Sequence, residues 1–518
     1  MSESDNAACW LLDRHVAAGR GGRVALRCEG ETLTYDHVMG QVWRAQHALA
    51  ALDVWPGERF VLVVNDEPAF LAWFLGGLRS GAVPVPLSTM LTADDLAAIV
   101  TDADAAVVVL SGEYAGHLPG IAEHASQLRA AVVVSDDDLV PAVPVHRWSD
   151  FTNKDEAPVA PTGPDSPAFW LYSSGTTGTP KGVMHRHANL RATADTYARS
   201  VLGIGPDDRC LSVAKLFFAY GLGNSLTFPF SVGASSVLNP ARPTPAGVVD
   251  LLAAERPTLF FAMPGFVAAL LDAEAPVDAF ASVRLTVTAG EALPAELHRR
   301  FTERYGHPVL DGIGSTEALH IFLSNTAGAE RPGTSGTPVP GYAVKLLDDE
   351  EREVVEPDAP GYLHVRGSSI ASGYWCREDA TKAAFHGEWL RTGDVYTRSA
   401  DGYWTFLGRN NDMIKAGGIW VSPAEVEGVL VEHPDVLEAA VVGTRNDVGL
   451  EEVVAFVVPR AGHDIDAPGV DSHCRARMAS FKRPRRLVVV DALPKTATGK
   501  IQRFALRDRL AAEIPTTS

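Results

Sequence analysis

The sequence predicts an α/β protein: a large N-terminal domain of parallel sheets covered by helices, a small β-barrel attached to it, and a small C-terminal α+β domain. Three observations predict this. From about Phe60, apolar β-branched runs alternate with helical patterns, as in parallel strands buried on both faces. After about Arg331, Gly and Pro punctuate short alternating strands, which indicates a small antiparallel barrel or sheet. Beyond Gly408 a helix and two apolar strands follow, the outline of a small α+β unit.

The elements follow in order. Phe60-Val-Leu-Val-Val reads as a buried strand, Pro68 to Leu78 as a helix and Val83-Pro-Val-Pro-Leu as extended chain. A helix near Thr92 to Thr101 precedes a strand over Ala105 to Leu110. Ser149 to Ser166, rich in Pro and Asp, is a surface connection. A second alternating series contains the strands Thr258-Leu-Phe-Phe-Ala and Leu285-Thr-Val-Thr-Ala and the run Val309 to Ile313. Tyr362-Leu-His-Val-Arg is one of the short strands of the barrel region. Pro423 to Glu432 reads as a helix, capped by Ser422 and with proline at its first position. The strands Ala439 to Val442 and Val453 to Val458 come next. The expected units are residues 1–409, with the barrel over 331–408, then a hinge at 410–411 and a small domain over 412–518.

A chain of 518 residues buries a core without disulfide or metal staples. With 45 basic and 64 acidic side chains the net charge is −19, which argues against nucleic acid or anionic membranes as partners. Cys9, Cys28, Cys210, Cys376 and Cys474 are odd in number and form no CxxC, so neither a disulfide framework nor a zinc site is expected. The start Met1-Ser-Glu-Ser-Asp lacks the features of a signal peptide, and no apolar run reaches the ~18 residues of a membrane helix. A cytoplasmic monomer or homodimer is the expectation.

The most informative string is Tyr172-Ser-Ser-Gly-Thr-Thr-Gly-Thr-Pro-Lys-Gly-Val-Met-His185. Glycines let backbone amides approach an anion, hydroxyls add donors, and Lys181 adds positive charge. The composition suits a polyphosphate. The spacing differs from GxxxxGK[ST], which disfavours a P-loop ATPase.

This string resembles the phosphate loop of the adenylate-forming superfamily of acyl- and aryl-CoA ligases, carrier-protein adenylation domains and luciferases. Four further strings resemble that family's motifs, in order: Asp311-Gly-Ile-Gly-Ser-Thr-Glu317, Arg391-Thr-Gly-Asp394, Gly408-Arg-Asn-Asn-Asp-Met-Ile-Lys-Ala-Gly-Gly418 and Pro494-Lys-Thr-Ala-Thr-Gly-Lys-Ile-Gln-Arg503. The resemblance implies ATP, Mg²⁺ and CoA (or the phosphopantetheine of a carrier protein) as the cofactors. It implies a nucleotide site of Ser173, Ser174, Gly175, Thr176, Thr177, Gly178, Lys181, Gly290, Glu291, Asp311, Gly312, Ile313, Asp394 and Arg409. Lys500 would bridge the acid carboxylate and phosphate, Thr316 would meet the α-phosphate, Glu317 would hold the metal, and His185 would lie beside the carboxylate. Taken alone, Asp394 reads as a turn residue, Lys500 as an exposed lysine and His185 as a packed histidine. Ile313 stands where the family usually has a tyrosine stacked on adenine.

The segment Ala214-Lys-Leu-Phe-Phe-Ala-Tyr-Gly-Leu-Gly-Asn224 carries no Asp or Glu. Burying a substrate ammonium there without a counter-charge would be costly, so an amino acid substrate is disfavoured. This segment and the one following Asp311 resemble the benzoate–CoA ligase branch. By that resemblance Phe218, Ala219, Tyr220, Gly290, Gly312, Gly314, His320 and Ile321 border an aryl-acid pocket; by themselves the aromatic residues read equally as core. The family's small domain is mobile and turns between two half-reactions. Asn411 takes the hinge position, where relatives carry Asp or Lys. Lys415, Gly417 and Gly418 would face the thiol channel. The basic cluster Phe481-Lys-Arg-Pro-Arg-Arg486 would offer Phe481, Lys482, Arg483 and Arg485 to the CoA nucleotide. An acidic carrier protein fits the same charge. The expected activity is therefore an ATP-dependent aryl acid ligase forming benzoyl-CoA. An aryl acid:acyl-carrier-protein ligase and a non-catalytic aryl acid-binding relative are the alternatives.

Overall fold

The structure, a computed structural model, describes residues 5–135, 143–174, 180–416, 419–445, 451–495 and 501–513. Five strands, Val83–Pro86, Arg59–Val63, Ala105–Ser111, Ala130–Val134 and Val145–Arg147, lie side by side in that order and are all parallel. A second sheet has nine strands. Its centre is parallel, in the order Val309–Gly314, Leu285–Thr288, Leu259–Ala262, Arg209–Ser212, Ser235–Leu238 and Val24–Cys28. Its edges are antiparallel: Ile321–Ser324 and Thr337–Pro338 at one side, Glu31–Thr34 at the other. The parallel sheets expected from the sequence are present, and short hairpin returns such as Cys28 to Glu31 add antiparallel strands at the ends.

Helix Pro68–Ser80 is buried along almost its whole length and shares one core with Phe60, Leu26 and Leu259. Two glycines make that packing possible. A Cβ on Gly76 would stand 2.7 Å from the Ala45 methyl, and one on Gly77 2.7 Å from the Phe60 ring. Helix Ala93–Asp102 starts one residue after Thr92, whose hydroxyl accepts from the Asp95 amide, the reciprocal cap that its sequence supports.

The region after Arg331 forms an antiparallel sheet of Ala343–Leu347, Gly361–Arg366, Phe385–His386, Trp389–Arg398 and Trp404–Arg409. Among the described residues these five strands do not pair into a closed ring: Ala343–Leu347 and Trp404–Arg409 do not pair with each other. A three-residue turn, Asn410–Asp412, leads into the last unit. There Val436–Arg445, Glu451–Pro459 and Arg486–Val489 form a sheet with helices Pro423–Val431, Ala467–Arg477 and Arg503–Glu513 around it. Ser422 caps the first of these helices through the Glu425 amide. Arg460 binds Asp272 at 2.9 Å across to the large unit.

Candidate functional site

Strands Pro167–Ser174 and Pro180–Arg186 form an antiparallel hairpin that pairs Ser173 with Lys181 and Ser174 with Pro180. Gly175, Thr176, Thr177 and Gly178 lie between them, outside the described residues, as does the Ser174 side chain. The register puts Ser173 and Lys181 at the base of that loop.

The loop after Val309–Gly314 is pinned from outside at three successive carbonyls. His185 Nε2 lies 2.9 Å from Thr316 O, the Ala371 amide donates to Glu317 O at 2.8 Å, and the Ser369 hydroxyl donates to Ala318 O at 2.7 Å. Leu319 closes the turn at φ +66°. Glu317 is half-buried, and its Oε1 accepts from the Tyr374 hydroxyl at 2.9 Å. Burial, then the Glu317 charge, raises the Tyr374 phenol above its usual range, which keeps it a neutral donor. Lys181 Nζ stands 5.2 Å over the Tyr374 ring.

His185 is fully buried, stacked on Phe169 at 5.0 Å, with its second nitrogen 3.3 Å from Asn189 Oδ1. Burial lowers its pKa to about 4, so the ring is neutral at pH 7. This geometry makes it a strut behind Thr316.

On the opposed strands Trp389–Arg398 and Trp404–Arg409, Asp394 faces Arg409. The Asp394 carboxylate is 3% exposed, and Arg409 Nε approaches it at 2.9 Å. Asp394, and more weakly Glu317, hold Arg409 charged. Asp311 is turned inward, accepting from Thr288 Oγ1 at 2.9 Å, and burial raises its pKa to about 7. Its strand therefore presents Gly312, Ile313 and Gly314 by backbone and aliphatic surface. Gly290, at φ +99°, precedes Glu291. Burial raises the Glu291 carboxyl, whose Oε1 accepts from the Ile501 amide at 3.2 Å. Lys500 itself lies outside the described residues.

The segment Ala214 to Asn224 runs into a helix with one widened turn, Gly223–Thr227, between Ala219–Leu222 and Phe228–Val232. Such turns recur at functional sites. Pro229 has no N–H for the Ser225 carbonyl, and the Ser236 hydroxyl supplies the donor instead at 2.5 Å. The Tyr220 hydroxyl donates to Val287 O at 3.0 Å. His320 lies 3.2 Å from Asn224 Oδ1 and packs on Phe228, Tyr197 and Tyr220. Burial lowers its pKa to about 3. A Cβ on Gly312 would meet Ile321 at 2.8 Å, and one on Gly314 would meet His320 O at 2.5 Å, so both glycines allow these strands to close together. Phe218 and Ala219 are half-buried.

Asp66, which local sequence did not single out, accepts from the Leu216 amide at 2.9 Å. It braces this segment from 150 residues away. Burial raises its pKa to about 6 against the pull of Lys215.

In the last unit Phe481 packs on the local core, Lys482 binds Glu425 at 2.5 Å, and Arg485 is exposed. The Arg483 Nε is buried without a hydrogen bond among the described residues. Asn411 is exposed. Gly417, Gly418 and the Lys415 side chain lie outside the described residues. Among those described, no cluster of His, Cys, Asp and Glu suits a metal ion, and no helix is long and apolar enough to cross a membrane.

Comparison with known proteins matches residues 13–375 to the AMP-binding enzyme family and 425–500 to the AMP-binding enzyme C-terminal domain. A benzoate–CoA ligase of Thauera aromatica is 43% identical, covering 98% of this chain and 96% of its own. A 4-hydroxybenzoate–CoA/benzoate–CoA ligase of Rhodopseudomonas palustris is 42% identical over 99% and 95%. The solved structure of a benzoate CoA ligase from Burkholderia xenovorans LB400 superposes with a TM-score of 0.90 at 42% identity, covering 97% of this chain and 99% of that one.

Proposed function

Since the chain belongs to the family of AMP-binding enzymes, we propose that it is an AMP-forming ligase joining benzoate, or a close benzoate analogue, to CoA. In the first half-reaction a carboxylate oxygen attacks the α-phosphorus of ATP; pyrophosphate leaves and the aryl-adenylate forms. In the second, the thiol sulfur attacks the adenylate carbonyl, and AMP leaves with the electron pair of the broken C–O bond.

The first step brings anion to anion, so the protein has to neutralise charge and align the reactants. Lys181 and the Ser173 end of the hairpin hold the outer phosphates. Thr316, fixed from behind by His185, meets the α-phosphate. Lys500 bridges the phosphate and the acid carboxylate, and Ile501 on Glu291 anchors the end of its segment. Asp394, aligned by Arg409, accepts from the ribose hydroxyls. Glu317 suits magnesium because it is a half-buried oxygen donor, and the bound ion would offset phosphate charge. Turning at Asn411 then brings Lys415, Gly417 and Gly418 to the adenylate, while Arg483 and Arg485 meet the CoA phosphates.

The observation that carries the aryl-acid reading is the neutral pocket wall. Its imidazole is uncharged, its phenol is already bonded to Val287 O, and Asp66, which touches the segment, is buried on the Leu216 amide. Within Ala214 to Asn224 no carboxylate is offered to a substrate ammonium, and the Asp66 carboxylate is buried and committed to the Leu216 amide. The test is thioester formation from benzoate and Mg·ATP, with CoA and a phosphopantetheinylated carrier protein supplied in parallel. Benzoyl-CoA formed at micromolar CoA supports the proposal. Fast carrier loading with slow CoA use transfers the activity to carrier priming and recasts Phe481–Arg486 as a protein-docking face.

A further inference from the structure

Tyr374 belongs to none of the motif strings, yet it touches both charged ends of the phosphate site. Its hydroxyl donates to Glu317 Oε1 at 2.9 Å, and its ring lies beneath Lys181 Nζ, 5.2 Å from the centroid. A carboxylate strengthens a hydrogen bond, and an ammonium favours a ring face. One rigid side chain thus contacts a cation and an anion by different parts of its surface. Among the described residues no ion pair joins Lys181 to Glu317.

The backbone fixes where Tyr374 stands. Its segment adds to strand Pro180–Arg186 opposite Val183. The Ser372 amide donates to Met184 O at 2.9 Å, the Met184 amide to Gly373 O at 3.0 Å, and the Trp375 amide to Gly182 O at 2.8 Å. The same segment holds the Glu317 carbonyl through Ala371. Gly373 sits at φ +141°, where a Cβ would stand 2.8 Å from Thr381 Cγ2. The Thr381 hydroxyl accepts from the Tyr374 amide at 3.0 Å, and Phe385 closes on the ring edge at 5.5 Å.

We propose that Tyr374 is a positioning residue that holds Glu317 and Lys181 apart and preset for the magnesium nucleotide. Without it the two side chains are free to neutralise each other, and each is withdrawn from its own target. The proposal rests on the reading of Glu317 as the metal carboxylate and Lys181 as the phosphate cation.

The binding measurements use the full-length enzyme without aryl acid, so that nucleotide binds and no turnover follows; the benzoate KM comes from separate steady-state assays. Tyr374→Phe keeps the ring under Lys181 and removes the donor; Tyr374→Leu removes both. Calorimetry gives the Kd of Mg·ATP and of ATP in EDTA, and electron paramagnetic resonance counts Mn²⁺ bound with ATP. Tyr374→Phe is expected to weaken Mg·ATP and Mn²⁺ binding about tenfold, leaving metal-free ATP and the benzoate KM within about twofold. Tyr374→Leu is expected to weaken metal-free ATP as well. Glu317→Gln, run beside them, separates the two readings. If it loses magnesium dependence while Tyr374→Phe does not, the positioning role is overturned alone. If Glu317→Gln leaves magnesium dependence intact, the Glu317 assignment falls and the proposal with it. Equal weakening by Tyr374→Phe of metal-free ATP and benzoate would mark a general structural role and also overturn it.

Discussion

Replacing Gly223 by alanine tests the proposed acid pocket directly. Gly223 has φ −60° and ψ −54°, so the backbone accepts alanine and gains about 0.5–1 kcal/mol of helix preference. The new methyl, however, would stand 2.3 Å from His320 Cδ2 and 2.7 Å from Nε2, where ordinary contact begins at 3.4 Å. The imidazole has to recede by about 1 Å. Behind it are Phe228, at 4.4 Å between ring centres, and Tyr197, at 5.3 Å, both fully buried. Any recoil therefore displaces the pocket wall and strains the 3.2 Å contact with Asn224. Overpacking of this kind costs about 1–3 kcal/mol, more than the helix preference returns. Steady-state kinetics at saturating ATP and CoA should show the benzoate KM raised at least about tenfold, the equivalent of 1.4 kcal/mol, while ATP varied at saturating benzoate gives an ATP KM within about twofold. The double variant Gly223→Ala/His320→Ala removes the two closest contacts and leaves Phe228 Cζ, at 3.2 Å, inside ordinary contact. It should bind benzoate no worse than His320→Ala alone, a coupling of about 1 kcal/mol or more. An unchanged benzoate KM in Gly223→Ala, or strict additivity in the cycle, would refute the placement of His320 against the helix.

Three further outcomes are expected. Asp66 has a folded pKa of about 6, above its unfolded value, so the folded state binds more protons between about pH 4 and pH 6, and stability falls as pH rises through that window. Asp66→Asn is neutral throughout and keeps an acceptor for Leu216; its stability relative to the parent should be higher at pH 7 than at pH 4.5 by about 2 kcal/mol, and denaturant melts giving one difference at both pH values would contradict this. Asp394→Asn removes the charge that aligns Arg409 and should raise the ATP KM about ten- to a hundredfold while the benzoate KM stays within about twofold; equal rises in initial-rate assays would count against a ribose contact. Lys500→Ala should nearly abolish adenylate formation, read by pyrophosphate release, and spare thioester formation from supplied benzoyl-adenylate; equal loss in both half-reactions would remove Lys500 from its bridging role.

Contiguous features are legible along the chain. The hairpin-borne phosphate string, the Ser422 cap and the buried strands Arg59–Val63 and Ala105–Ser111 each rest on neighbours within a few residues, and local backbone preference and hydrophobic period encode such neighbours directly. The alternating strands after Arg331 are legible as antiparallel, but their closure is not. Which strand edges meet depends on chain paths of tens of residues, and among the described residues these strands do not pair into a closed ring.

Other partners are set by the path of the chain. Val24–Cys28 slots beside Ser235–Leu238 across more than two hundred residues, and nothing in either apolar run names the other. His185 meets Thr316 across 131 residues and Asp66 meets Leu216 across 150. Tyr374 reaches Glu317 across 57, from a segment with no motif to mark it. A side chain's type fixes the bonds that it can make, but burial fixes whether an imidazole stays neutral or a carboxyl holds its proton. Burial is a property of everything packed around the group. The nucleotide chemistry can therefore be read along the chain, whereas the buried contacts of His320 and Tyr220 and those of Tyr374 with Lys181 and Glu317 come into being when distant segments pack together and exclude water.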